Sequence, residues 1–131
     1  MIFVDTSAWC AAYVPADPKH EAVSKLIRSQ SRSIVTSDFI VDETITLLLA
    51  RGEQRRANNF GRDLLITGIV PLELVTLVDL VQAYHILVRY HDKDWSFTDC
   101  TSFIVMQRCG IVDAISLDQH FRQMPGIVVC P

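Results

Sequence analysis

Four acidic residues, Asp5, Glu43, Asp99 and Asp118, stand 38, 56 and 19 residues apart in the 131-residue chain. Each falls at a segment boundary or on an apolar helix face. Gathered at one place, their hard carboxylate oxygens would suit Mg2+ or Mn2+. Such an ion would offset the mutual repulsion of the acids, lower the pKa of a bound water and stabilise a departing oxygen, which is the chemistry of in-line phosphodiester hydrolysis. Metal coordination can supply hydroxide near neutral pH, so this chemistry needs no Lys or His as general base.

Taken singly, each acid has a structural explanation. Asp5-Thr6-Ser7 and Asp118 are good helix N-caps, and Ser96-Phe97-Thr98-Asp99 is a capping box in its Ser-x-x-Asp form. Glu43 shares a helix face with Phe39, Ile40 and Leu47, where a carboxylate needs a metal, a paired Arg or good donors. Asp42 lies about 100° round the helix and is more easily solvated, so Glu43 is the chosen candidate. Separate capping roles do not explain why four carboxylates should meet at one edge of one sheet.

The elements that must bring them together follow from periodicity and stop signals. Met1 to Val4 reads as a strand that runs through Asp5 into a helix. Asp17-Pro18 opens a second helix reaching about Ser29, with Ala22, Val23, Leu26 and Ile27 on one face. Ser33 to Thr36 is a second strand, and Ser37 caps an apolar helix from Asp38 to Ala50 that Gly52 ends. Glu53 to about Ile66 is a polar helix stopped by Gly68, and Ile69 to Leu74 is a third strand. Leu77, Leu80, Val81, Tyr84, Leu87 and Val88 mark a long amphipathic helix from Thr76 to about Tyr90. Ser96 caps a helix ending near Gly110, Ile111 to Leu117 is a fourth strand, Asp118 opens a helical turn and Ile127 to Val129 is a fifth strand. Strands alternating with helices predict an α/β domain with a mostly parallel sheet, which binds ligands beyond the carboxyl ends of its strands.

The length fits one domain spanning residues 1 to 131. Half of the residues are hydrophobic and 21% are charged, which excludes a disordered or low-complexity chain. No apolar run is long enough for a membrane helix and no signal peptide is read, so a cytoplasmic protein with no membrane partner is expected. Cys10, Cys100, Cys109 and Cys130 lack CxxC spacing and are assigned no chemistry. The formal charge is −3, but without the four acids it would be +1, so the remaining surface need not repel a polyanion. Arg51, Arg55, Arg56 and Arg62 form the densest basic stretch, suited to phosphates or an acidic partner or simply to solvent. His20, His85 and His91 lack metal spacing, while His120 stands beside Asp118 and could position substrate or serve no function. Trp9 and Trp95 are read as core residues, with base stacking as the alternative.

The hydrophobic strand ending in Asp5-Thr6-Ser7, the inward Glu43, the run Ser96-Phe97-Thr98-Asp99-Cys100-Thr101-Ser102-Phe103 and the run Ile115-Ser116-Leu117-Asp118-Gln119-His120-Phe121 together resemble the PIN-domain family, specifically the VapC-type toxin ribonucleases. The resemblance implies a three-layer α/β sandwich with a mostly parallel central sheet flanked by helices. It implies a Mg2+- or Mn2+-dependent endoribonuclease, the toxin of a toxin–antitoxin pair, leaving 5′-phosphate and 3′-hydroxyl ends. By the same resemblance Asp5 and Asp99 would be direct metal ligands, and Glu43 and Asp118 would act through water or a second ion. Ser7 and Ser116 would support the site, Ser116 standing where the family more often has Thr. A homodimer and a small antitoxin covering the acids are implied as partners.

Two other metal-using designs fit less well. Metal-dependent adhesion domains need Ser where this chain has Trp9, and haloacid-dehalogenase-like phosphatases need a second Asp where it has Ser7. A catalytically inactive scaffold or metal-binding interaction module is the remaining alternative.

Overall fold

The computed structural model describes residues 1–31 and 33–131. Five short strands form a wholly parallel sheet: β1 (Ile2–Val4), β2 (Ile34–Ser37), β3 (Leu72–Glu73), β4 (Asp113–Ile115) and β5 (Val128–Cys130). Their order in space is β3-β2-β1-β4-β5. The chain therefore builds outward from β1 through β2 to β3, then returns to lay β4 on the other side of β1. That reversal creates a crevice beyond the carboxyl ends of β1 and β4, the place where open parallel sheets bind ligands.

Among the described residues seven α-helices flank the sheet: α1 (Thr6–Tyr13), α2 (His20–Ser29), α3 (Asp38–Ala50), α4 (Gln54–Gly61), α5 (Leu77–Arg89), α6 (Phe97–Arg108) and α7 (Gln119–Arg122). The most enclosed is α6, in which every residue from Asp99 to Met106 is buried. A helix surrounded on all sides is a core element, and its capped N-terminus is consequently held at a fixed place. Trp9 packs against Phe60 and Tyr13 and donates its indole N–H to Thr36 Oγ1 at 3.3 Å, while Trp95 is also buried. Both tryptophans are thus core residues.

Several boundaries differ from expectation for local reasons. The second helix begins at His20, because Asp17 Oδ1 accepts the Lys19 N–H and the Asp17 carbonyl accepts the His20 N–H, making a turn first. The polar helix runs on from α4 into a π-helical segment, Arg62–Thr67, and Gly68 ends it at φ 68°. β3 is two residues long because the Ile69 N–H closes that segment on the Asp63 carbonyl and Pro71 has no N–H to offer a ladder. The apolar stripe on α5 is placed otherwise than expected: Asp79 and Ala83 are buried, whereas Leu77, Val78, Val81, Tyr84 and Val88 are exposed. Periodicity found the helix but not the side that is covered.

One ion pair joins the ends of three elements. Arg108, at the end of α6, donates through Nε and Nη2 to the two oxygens of Asp79, each at 3.1 Å, and reaches Glu73 of β3 at 3.3 Å. Asp79 is 2% exposed and also forms the capping box of α5 with Thr76. Burial works against its charge, yet the Thr76 N–H and the Arg108 guanidinium outweigh that and lower its pKa below the ordinary carboxylate value. Arg108→Ala should destabilise the fold by about 2–3 kcal/mol at pH 7 by leaving a buried carboxylate short of donors. A carboxylate depressed in the folded state contributes stability above its unfolded pKa and loses it as pH falls through the folded value. Urea unfolding should therefore show the deficit of the variant at neutral pH and its shrinkage in strong acid.

Candidate active site

The acids approach one another because three of them begin helices at the carboxyl edge of the sheet. Asp5 leaves β1, caps α1 and is anchored by its N–H to the Ile115 carbonyl of β4 at 3.0 Å. Asp99 is the third residue of α6, where it accepts the Ser96 N–H at 2.9 Å while Ser96 Oγ accepts the Asp99 N–H at 3.0 Å. Asp118 leaves β4, caps α7 and accepts the His120 N–H at 2.9 Å. Capping and gathering are therefore one geometry: a carboxylate that caps a helix on this edge is also turned toward the crevice.

Two serines brace the arrangement. Ser7 Oγ donates to Asp5 Oδ2 at 2.8 Å and accepts the Leu117 N–H at 2.9 Å. Ser116 Oγ donates to the same Asp5 oxygen at 2.9 Å and accepts the Asp118 N–H at 3.0 Å. The Ser7 N–H also reaches Oδ2, at 3.3 Å, and Oδ1 receives none of these bonds. The hydroxyls thus fix the Asp5 carboxylate and tie the exits of β1 and β4 together, both binding it through Oδ2.

Asp5, Thr6, Ser7, Cys10, Asp17, Glu43, Leu47, Arg51, Leu117 and Asp118 line a cleft of about 340 Å³. Glu43 and Leu47 also line a second groove with Asp42, Thr46, Ala50 and Thr98. Glu43 is half-buried and Asp42 exposed. No Arg, Lys or His lies within 4 Å of the Glu43 carboxylate among the described residues, so the alternative of an Arg pair is not found there. Cys10, Asp17 and Leu117 carry no functional signal in the sequence, whereas Arg51 belongs to the basic stretch suited to phosphates, an acidic partner or solvent. Arg51 follows Glu43 and Leu47 at successive i, i+4 positions, a helical-face signal that was available. His120, for which the sequence offers substrate positioning or no function, brings Nδ1 within 3.4 Å of Asp118 and 3.7 Å of Asp99.

The electrostatics are those of a site short of positive charge. Burial raises the Asp5 pKa to about 6, with the Ser7 and Ser116 hydrogen bonds opposing and the Asp99 charge adding. Asp99 is also raised, first by burial and then by the charges of Asp118 and Glu43. The donor set is rich in hard oxygen and its carboxylates destabilise one another. These properties fit a divalent cation held among the carboxylates. The Cys10 thiol in the same cleft is pushed up to about 11 by burial, so it stays protonated and is a poor nucleophile.

The PIN domain family model matches residues 2–127. The 23S rRNA-specific endonuclease VapC20 of Mycobacterium tuberculosis is 37% identical over 131 residues, covering 100% of this chain and 99% of that protein. Its crystal structure, described as that of a sarcin-ricin loop cleaving toxin, superposes with a TM-score of 0.91 over 100% of both chains. Ribonuclease VapC26 of the same organism is 28% identical over 127 residues, 96% of this chain and 93% of its own. VapBC2 of Rickettsia felis, solved with a promoter DNA fragment, shares the fold at 10% identity with a TM-score of 0.72, covering 99% of this chain and 98% of that one.

A buried carboxylate whose folded pKa lies above its unfolded value weakens the fold where it must ionise. In EDTA at pH 7, Asp5→Asn should therefore be more stable than wild type by about 1–3 kcal/mol. The wild-type chain should recover that difference as pH falls from about 7 to below about 3, where Asp5 is neutral in both states. Denaturant titrations of the two proteins at pH 7 and pH 5 check the sign, and a wild type more stable than the variant at pH 7 contradicts it.

Proposed function

Because the chain belongs to the PIN-domain family, we propose that it is a metal-dependent endoribonuclease that hydrolyses RNA phosphodiester bonds as the toxin of a toxin–antitoxin pair. The observation that carries this reading is the meeting of Asp5, Glu43, Asp99 and Asp118 at the switch point of the sheet, with Asp5 braced by two serines. The whole chain acts as one such domain. Asp5 and Asp99 hold Mg2+ or Mn2+ directly, and Glu43 and Asp118 act through water or a second ion. The bound ion supplies an activated water and charge stabilisation for the leaving oxygen. Ser7 and Ser116 keep Asp5 in register with Asp118, so their part is orientation. Arg51 carries positive charge on the wall of the cleft and has no carboxylate within 4 Å among the described residues. It is placed to take a backbone phosphate beside the scissile one, which an otherwise acidic site needs in order to admit a polyanion.

Similarity to VapC20 over its full length makes a ribosomal RNA hairpin the first substrate to test. A small antitoxin is the proposed protein partner of a chain this similar to the toxin VapC20, and the groove lined by Thr46, Leu47 and Ala50 beside Glu43 offers it apolar anchorage. A second copy of the chain is the proposed occupant of the exposed face of α5, where Leu77, Val81, Tyr84 and Val88 follow one another at helical spacing. No helix among the described residues is long and apolar enough to cross a membrane, and the proposed site of action is the cytoplasm.

Purified protein with Mn2+ or Mg2+ should cut a mixed pool of structured and single-stranded RNAs. EDTA or Asp99→Asn should reduce the rate at least about a hundredfold. Arg51→Ala should raise KM about 5–10-fold with little change in kcat. Metal binding without cleavage of any RNA would leave the chain an inactive scaffold. In light scattering behind size exclusion, the wild type should run as a dimer and Val81→Asp as a folded monomer, since that position is half exposed in the single chain.

A further inference from the structure

His120 lies in the first turn of α7, two residues after Asp118, and its own backbone N–H fixes the Asp118 carboxylate. Its ring turns the same way, toward the acids. Nδ1 is 3.4 Å from Asp118 Oδ1 and 3.7 Å from Asp99 Oδ2. One ligand-type atom from each of Asp99, Asp118 and His120 lies within 4.8 Å of the other two. Adjacent ligands of an octahedral ion bound at about 2.1 Å stand about 3 Å apart, so only small side-chain adjustments separate this trio from a coordination face. Its two carboxylates come from different elements, α6 and the β4 exit. The nitrogen completes a mixed face that the carboxylate quartet alone does not have.

Resting on the metal-site reading above, and taking Asp118 as a direct ligand rather than one acting through water, we propose that His120 contributes an imidazole nitrogen to a divalent cation held by Asp99 and Asp118, and that this nitrogen biases the centre toward Mn2+ over Mg2+. Mg2+ is hard, prefers oxygen and parts reluctantly with its waters, whereas imidazole is a good ligand for first-row transition ions. A ring that merely hydrogen-bonded Asp118 would leave the relative affinities of the two ions alone. An inner-sphere nitrogen alters them selectively.

The test uses the metal-free full chain and reads binding directly. Mn2+ titration followed by electron paramagnetic resonance of the free ion, repeated with Mg2+ as competitor, is compared for wild type, His120→Ala and Asp99→Asn. His120→Ala should weaken Mn2+ at least about tenfold while changing Mg2+ competition less than about threefold. The wild-type Mn2+ complex should also show nitrogen hyperfine coupling in pulsed electron paramagnetic resonance, lost in His120→Ala. That signal needs no variant to fold. Unchanged Mn2+ affinity in His120→Ala, or a wild-type complex with no nitrogen coupling, overturns the assignment of His120. If Asp99→Asn still abolishes binding in that case, the carboxylate site stands and His120 alone is misassigned. A wild type that binds neither ion overturns both.

Discussion

Like charges brought together out of water repel strongly, and the carboxyl edge of this sheet concentrates four carboxylates in a place only partly reached by solvent. The fold provides two remedies of different kinds. Hydroxyl and amide donors satisfy one side of each key acid: Ser7 and Ser116 on Asp5, Ser96 on Asp99 and the start of α7 on Asp118. The proposed cation would be the second remedy. A site with enough protein donors to be comfortable empty would have little free energy left for a metal, whereas one with none would resist folding.

Strand order makes that compromise possible. β4 lies beside β1 although more than a hundred residues separate them, so Ser116 and Ser7 can act on the same carboxylate oxygen. Asp99 depends instead on α6, whose burial on every side fixes its N-terminus relative to the sheet. The Arg108–Asp79 pair secures the opposite end of that helix to α5 and to the short edge strand. Precision at the acids thus rests on contacts at both ends of one core helix.

The alternating pattern of strands and helices was legible in the sequence, as were Asp5, Glu43 and Asp118, which line the cleft, and Asp99, whose charge acts on Asp5 from outside that lining. Asp5, Asp99 and Asp118 were readable because helix caps have local signatures, and Glu43 because a carboxylate on an apolar face demands an explanation. What local pattern could not supply was orientation. The stripe on α5 is as periodic as a core face, yet Val81 and Tyr84 point outward, because the coverage of a helix depends on distant elements. Likewise the approach of His120 to Asp99 depends on how α7 sits against α6. β3 shrank to Leu72–Glu73 because a helix terminus and a proline claimed the residues ahead of it.

The burial of α6 also governs how the site can be lost. Backbone amides on an exposed helix open to solvent by fraying, but a helix enclosed from Asp99 to Met106 can open only when most of the molecule does. Hydrogen exchange there reports the global equilibrium, and a protease that needs an unfolded segment meets the same barrier. Survival of Asp99 in its place at the start of α6 is therefore tied to survival of the whole domain. Its persistence inside a cell would be set by the unfolding of the entire chain.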